Sequence, residues 1–467
     1  MSTRFTAGRI GRLRGSLGPA WLAGAIAAGP ATMASLVTAG ASFGYALLWV
    51  VVLSAIAGAF TQYLSARLGL GTGEGIVASV EKRLGERWAW VLVCDGVLAA
   101  GLAQLVIMKT LADVSETVTG IDARVWGVCW AVVLAIGLAG GGYRLAEIGA
   151  KVLVSGIVLA FLASLLVVPI DPSAAVGGLV PRIPAGVDGA LVAAGVLGGA
   201  VHVTLVTMHT YTVCARGWTD DDRDLATTDV LASMLVAFGA YSLAIFLVTA
   251  SVLRGPGIDP SSLTATSAAQ ALGPLVGPAA EWLFLLGLWG AAVSTLGGNT
   301  IVPPYLLADK LGYGTTIDDR RYRALLAGTA LASAAGAFLG GAFFPLLVLV
   351  LAFGLVGTPF ALVVVLYLLN DPGAVPETSG TVVNGGGLAL VAVTAITAGA
   401  FVREQVVTFD PVGDPVGAFV VAFAVVMSGA TLLLLARFVR RAIIGEPSPA
   451  VQEALDAGYE LDYHQLE

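Results

Sequence analysis

Charge is scarce in this sequence of 467 residues. Only 12% of them are Asp, Glu, Lys or Arg, about half of the roughly 25% found in a soluble domain. That shortage excludes an ordinary soluble enzyme, a disordered chain and a nucleic-acid binder, the last two of which need charge in quantity. Lysine is rarer still: Lys82, Lys109, Lys151 and Lys310 are the only four among 24 basic residues. Cysteine occurs three times (Cys94, Cys129, Cys214), each time inside an apolar run. No metal-like spacing joins the three, so neither a disulfide framework nor a zinc site is indicated. A phosphate-cradling loop with its lysine is also missing. The stretch GTGEG at 71–75 is glycine-rich, but no strand precedes it, and it reads as a loop. No cofactor is called for.

Apolar length is what the chain has in abundance, with 57% hydrophobic residues, 60 glycines and 20 prolines. A spanning helix needs about 20 mostly apolar residues. Twelve such runs are predicted, at 17–40, 44–68, 88–112, 124–141, 145–169, 187–215, 227–253, 279–303, 323–341, 343–369, 386–402 and 416–437. The basic start, residues 1–16, is not followed by a short apolar core with a small-residue cleavage site. It reads as a cytoplasmic arm. With the N-terminus inside, only Arg124, Arg182, Arg254, Arg403 and Lys109 fall away from the cytoplasmic face, which leaves 19 of the 24 basic residues on it. Such a bias orients a membrane protein and predicts both termini in the cytoplasm of a multi-pass protein of the cell membrane. Residues 442–467 form an acidic cytoplasmic tail.

Two of the twelve runs are interrupted. The first carries Gly29-Pro30 at its middle, and the sixth carries Gly198-Gly199 ahead of the β-branched run that starts at Val201. Proline removes a helix hydrogen bond and clashes with the preceding turn, while glycine loosens the backbone. Irregular backbone at membrane depth is tolerated where it lines a cavity or is buried in protein. Interruptions in corresponding runs, first and sixth, are the mark of inverted repeats around a midplane site. Residues 29–32 and 202–205 are therefore expected to be non-helical or kinked and to face each other.

Residues Gly18 to Gly73 carry a resemblance, above all in AGASFGYALLW and QYLSARLG. They are similar to the opening of the natural-resistance-associated macrophage protein (Nramp) family. WLFLLGLWGAAVSTLGG (282–298) resembles that family's eighth helix, and LLVLVLAFGLVGTPFALVVVLYLLND (346–371) its tenth. The resemblance implies an all-α polytopic membrane protein with a LeuT-like fold. An inverted five-plus-five repeat would fill 17–369 as the transport core, and two additional helices would occupy 386–441. It also implies proton-coupled transport of manganese, iron or a related dication, and no enzyme.

The chain departs from the family at the motifs that matter. Where the family has Asp-Pro-Gly-Asn in its first helix, this sequence reads Gly29-Pro30-Ala31-Thr32, and the charged ligand is gone. The sixth-helix Met-Pro-His-Asn falls on His202-Val203-Thr204-Leu205, with His209-Thr210 matching a downstream His-Ser. In the third helix Asp95 is kept while the partner Glu becomes Leu98, and a tenth-helix glutamine falls on Leu351. The expected substrate contacts are thus Gly29, Thr32, His202 and Leu205, with Thr32 and His202 as metal ligands and Asp95 and His209 as the coupling pathway. A dication without an anion beside it is poorly held in low dielectric, unless it stays hydrated or borrows the charge of Asp95. His202 also reads as a packed core histidine or as part of a proton relay.

The expectation is a secondary transporter of a divalent cation with atypical selectivity and weak proton coupling. The alternative is a carrier of a small neutral or zwitterionic solute on the same fold. Its partners are the transported ion or solute and the lipid bilayer, with no nucleic acid. A non-transporting sensor has only the acidic tail in its favour.

Overall fold

The computed structural model of the chain describes residues 29–140, 144–184, 188–253, 262–408 and 415–444. The basic arm 1–16, residues 17–28 of the first run and the tail beyond Ile444 lie outside them. Every regular element among the described residues is helical. Helix α1 (Pro30–Phe43) passes through one 3-10 turn into α2 (Leu48–Thr72). α2 stops at Gly73, whose φ of 66° turns its N–H back to Gly69 O, a left-handed cap that glycine adopts without penalty. The short amphipathic α3 (Ile76–Leu84) precedes α4 (Glu86–Thr119), α5 (Ala123–Gly140) and α6 (Arg144–Ser164).

The sixth run is two helices, α7 (Gly189–Val201) and α8 (Val203–Ala215). After it, α9 (Arg223–Val230) runs through a π-helical stretch (Leu231–Phe238) into α10 (Gly239–Val252). α11 (Ala280–Thr300) continues as α12 (Val302–Lys310), and α13 (Arg320–Ala332), α14 (Phe343–Leu369), α15 (Thr381–Thr408) and α16 (Pro415–Ile444) complete the chain. α13 starts where the Asp319 carboxylate accepts the Arg321 N–H at 2.7 Å, an N-cap of the usual kind. The twelve expected runs all fall on helical residues, the first from Pro30 onward and the sixth on two helices. The fifth meets only a shorter apolar helix (Ile148–Ser164), and among the described residues the ninth meets no stretch long and apolar enough to cross a membrane. Nine stretches among the described residues are long and apolar enough to cross a membrane, one of which (Pro30–Thr72) contains two of the runs.

Burial separates the core from the periphery. In the most apolar windows, 94% of the α7–α8 stretch and 89% of α14 are buried, against 22% for α5 and 33% for α16. α14 packs on α7, α4, α15, α16 and α1, and α1 also packs on α10. The outer helices expose large apolar side chains such as Leu159 and Val382, which suits contact with lipid tails rather than water.

The interruption in the sixth run falls at the start of the expected stretch 202–205 and is narrower than it. Gly198 and Gly199 are helical, and the break is the single residue His202, with φ −55° and ψ 141°. Residues 203–205 resume the helix, and Pro30 to Thr32 form the first turn of α1 behind an extended Gly29. The glycines serve close approach instead. A methyl group on Gly199 would come within 2.7 Å of Thr32 Oγ1, and one on Gly198 would overlap the Leu351 carbonyl. At the break, Val201 O accepts the Thr358 hydroxyl at 2.9 Å, while Leu205 N and Val206 N both turn to His202 O. The carbonyl freed by the break is thereby satisfied from α14, as a buried backbone group requires.

Candidate substrate site

A cavity lies where the N-terminal end of α1 meets the α7–α8 break, walled by α4, α11 and α14. About 40 Å³ of it is open to the centre of a water molecule. At roughly 10–15 Å³ per water on that measure, it has room for about three waters, or for one ion that keeps part of its hydration. The four expected substrate contacts, Gly29, Thr32, His202 and Leu205, all line it. Thr204, Thr295 and Asn299 supply further polar groups, Leu351 completes a wall, and no lining residue is charged. Among the described residues, no three His, Cys, Asp or Glu side chains converge closely enough to hold a metal ion.

His202 is 4% exposed and sits at the break. Its Nδ1 lies 2.9 Å from Thr204 Oγ1 and within reach of the Thr204 N–H at 3.4 Å. The hydroxyl fits a protonated Nδ1 and the amide an unprotonated one, so Thr204 supports either tautomer of the ring. Nε2 is buried without a hydrogen-bond partner and faces α14, where a methyl group added to Gly354 would overlap it. With Nδ1–H given to Thr204, Nε2 carries a free lone pair, the state a metal ligand needs. Thr32 is 3% exposed and lies against Gly199, which brings the first and sixth runs into contact at the cavity.

The expected coupling residues lie outside the lining. Asp95 is 1% exposed, and both of its carboxylate oxygens lack hydrogen-bond partners. It abuts α14 one turn beyond His202's contact, where a methyl group on Gly357 would overlap it. It therefore does not lend its charge directly to the cavity. His209 is 3% exposed, two turns down α8, with Nδ1 unpartnered. Leu98 is 39% exposed on the outer side of α4. Lys109, placed by its sequence position near the outer end of the third helix, is buried and paired with Asp113 at 2.9 Å.

Thr295 and Asn299 went unnoticed in the sequence because a few polar residues in a long apolar run fix no face by themselves. The signal available was their spacing of four within an otherwise apolar helix, since polar groups in spanning helices turn to the protein interior.

Residues 20–404 match the family described as natural resistance-associated macrophage protein-like. The divalent metal cation transporter MntH of Mycobacterium tuberculosis is 31% identical over 375 residues, covering 76% of this chain and 83% of that protein. MntH of Deinococcus radiodurans is 30% identical over 321 residues, covering 65% and 72%. Among solved structures, a manganese transporter from Eremococcus coleocola superposes with a TM-score of 0.69 at 17% identity, over 91% of this chain and 94% of that one. Mhp1, a nucleobase-cation-symport-1 family transporter, superposes with a TM-score of 0.52 at 15% identity, over 87% and 96%. At such identities the likeness speaks for the fold, which is the expected LeuT-like arrangement.

Proposed function

Because the chain belongs to the Nramp family, we propose that it is a secondary transporter moving a divalent metal cation across the membrane through the cavity at the His202 break. The observation that carries this reading is the cavity itself. It has room for an ion with a few waters, and Thr32, His202, Thr295 and Asn299 bring polar groups to its lining. The alternative of a small neutral or zwitterionic solute is not favoured, since the relatives are named for divalent metal cations and the likeness to Mhp1 is one of fold.

Thr32 and His202 stand as ligands, with Gly29 and Leu205 as contacts. Without a carboxylate, the site holds every dication more weakly than a charged one would. Its imidazole favours manganese, cobalt or zinc over calcium, which prefers oxygen. Asp95 and His209 form the coupling pathway in this reading, thinned by Leu98 and Leu351.

A cell-membrane location with both termini cytoplasmic is supported by the distribution of the basic residues, 19 of 24 of which fall on the inner face in that orientation. The division into a core over 17–369, added helices over 386–441 and two tails follows from the same reading.

Calorimetric titration of the purified protein with Mn²⁺, Co²⁺ and Ca²⁺ tests the ligands. His202→Ala should abolish the preference for Mn²⁺ and Co²⁺ over Ca²⁺. Thr32→Asp should tighten all of them by about 10-fold or more, equivalent to at least about 1.4 kcal/mol. An unchanged metal ranking in His202→Ala would make His202 a core residue and remove the site's nitrogen ligand.

A further inference from the structure

We propose that Thr295 Oγ1 and Asn299 Oδ1, on neighbouring turns of α11, are oxygen ligands of the transported cation and stand in for the oxygens that the first run lacks. The inference rests on the reading of the cavity as a divalent-cation site.

Orientation of the Asn299 side chain is fixed by chemistry. Its Nδ2 donates to the Ala100 carbonyl at 2.7 Å and to Gln104 Oε1 at 3.0 Å. A backbone carbonyl only accepts, so the amide nitrogen must face α4. Gln104 is fixed in turn: its Nε2 donates to Thr300 Oγ1, whose own proton goes to Leu296 O at 2.6 Å. The chain of donors begins and ends on backbone carbonyls and permits no flip of either amide. Both Asn299 protons are thereby consumed against α4. What the residue has left for the cavity it lines is Oδ1, an acceptor with no proton to offer.

One turn earlier, Thr295 lines the same cavity, is 6% exposed, and its Oγ1 is buried without a hydrogen-bond partner. A buried hydroxyl left unmatched is costly. Residues four apart share a helix face, so both oxygens are presented from α11 toward a space bounded on the far side by Thr32 and His202. Two neutral oxygens, a third from Thr32 and one imidazole nitrogen make a donor set suited to a borderline or hard dication, with the remaining positions held by water. Gln104 touches no cation. It is a positioning residue that keeps the Asn299 oxygen turned inward, as outer hydrogen-bond partners do at metal sites.

Ligation from α11 and ligation from His202 pull selectivity in opposite directions, because oxygen serves hard ions and imidazole borderline ones. Mn²⁺ titration of the purified full-length chain, with Mg²⁺ and Co²⁺ as competitors, reads this out, alongside the unfolding temperature of each metal-free variant. Thr295→Val keeps the shape and removes the oxygen. It should weaken Mn²⁺ binding by about 10-fold and weaken Mg²⁺ competition more than Co²⁺ competition. Asn299→Ala should do the same, and Gln104→Ala should reproduce a part of it. His202→Ala should shift the competition the other way.

Should Asn299→Ala fail to fold, Thr295→Val decides alone. If Thr295→Val binds Mn²⁺ with unaltered affinity and unaltered Mg²⁺ and Co²⁺ ranking while Thr32 or His202 variants are impaired, the α11 assignment is overturned and the metal site stands. Absence of any dication binding by the wild-type chain would overturn both.

Discussion

Where the Nε2 edge of His202 can sit is decided by a missing side chain on α14. Gly354 leaves the space that the ring occupies, and Gly357, one turn on, leaves the space for the Asp95 carboxylate. Alanine is the better helix former by roughly 1 kcal/mol, so replacing either glycine strengthens α14 locally and acts through the overlap alone. Gly354→Ala should displace His202 and lower Mn²⁺ affinity by about 10-fold, whereas Gly357→Ala should leave affinity near wild type, since Asp95 lies outside the cavity lining. Titration of both variants checks this, and equal losses in the two would mean that Asp95 takes part in binding. Gly29, Thr32, His202 and Leu205 were legible in the sequence because each occupies a position of a recognisable motif. Thr295 and Asn299 were not, because only packing shows which face of α11 meets the cavity.

At the scale of elements, the break between α7 and α8 is held from outside itself. Thr358 is fully buried, and its hydroxyl reaches both Val201 O at 2.9 Å and Gly354 O at 3.0 Å. Thr358→Val keeps the volume and strands the Val201 carbonyl, which should cost about 1–3 kcal/mol. The unfolding temperature at a fixed heating rate should fall accordingly. No change would show that Val201 O finds another donor. The sequence placed this break within 202–205 but pointed to Gly198-Gly199 as its cause, since glycine loosens a helix in isolation. Here those glycines admit Thr32 and the Leu351 carbonyl, and the interruption moves to the residue whose ring and flanking carbonyl find partners on Thr204 and Thr358. Tertiary contacts outweighed local propensity. The helices themselves were legible, because long apolar runs in a charge-poor chain have one stable form in a bilayer.

Across the whole molecule, the cavity and the buried acid are separate. The cavity lining carries no charge, Asp95 is sealed against Gly357, and Leu98 points away on the outer side of α4. A carrier built this way should move its cation with little matched proton flow. A pH dye trapped in proteoliposomes would report coupling directly, and acidification in fixed ratio to uptake would return Asp95 and His209 to the centre of the mechanism. The claim beneath all of these is that a dication crosses through a site with no carboxylate in it. Its most direct test is the initial rate of Mn²⁺ uptake into proteoliposomes containing the full-length chain, set against protein-free vesicles and with Co²⁺ or Ca²⁺ added outside. The expected result is saturable uptake that Co²⁺ suppresses strongly and Ca²⁺ weakly. Uptake no faster than in protein-free vesicles, for Mn²⁺ and for every other dication tried, would contradict it.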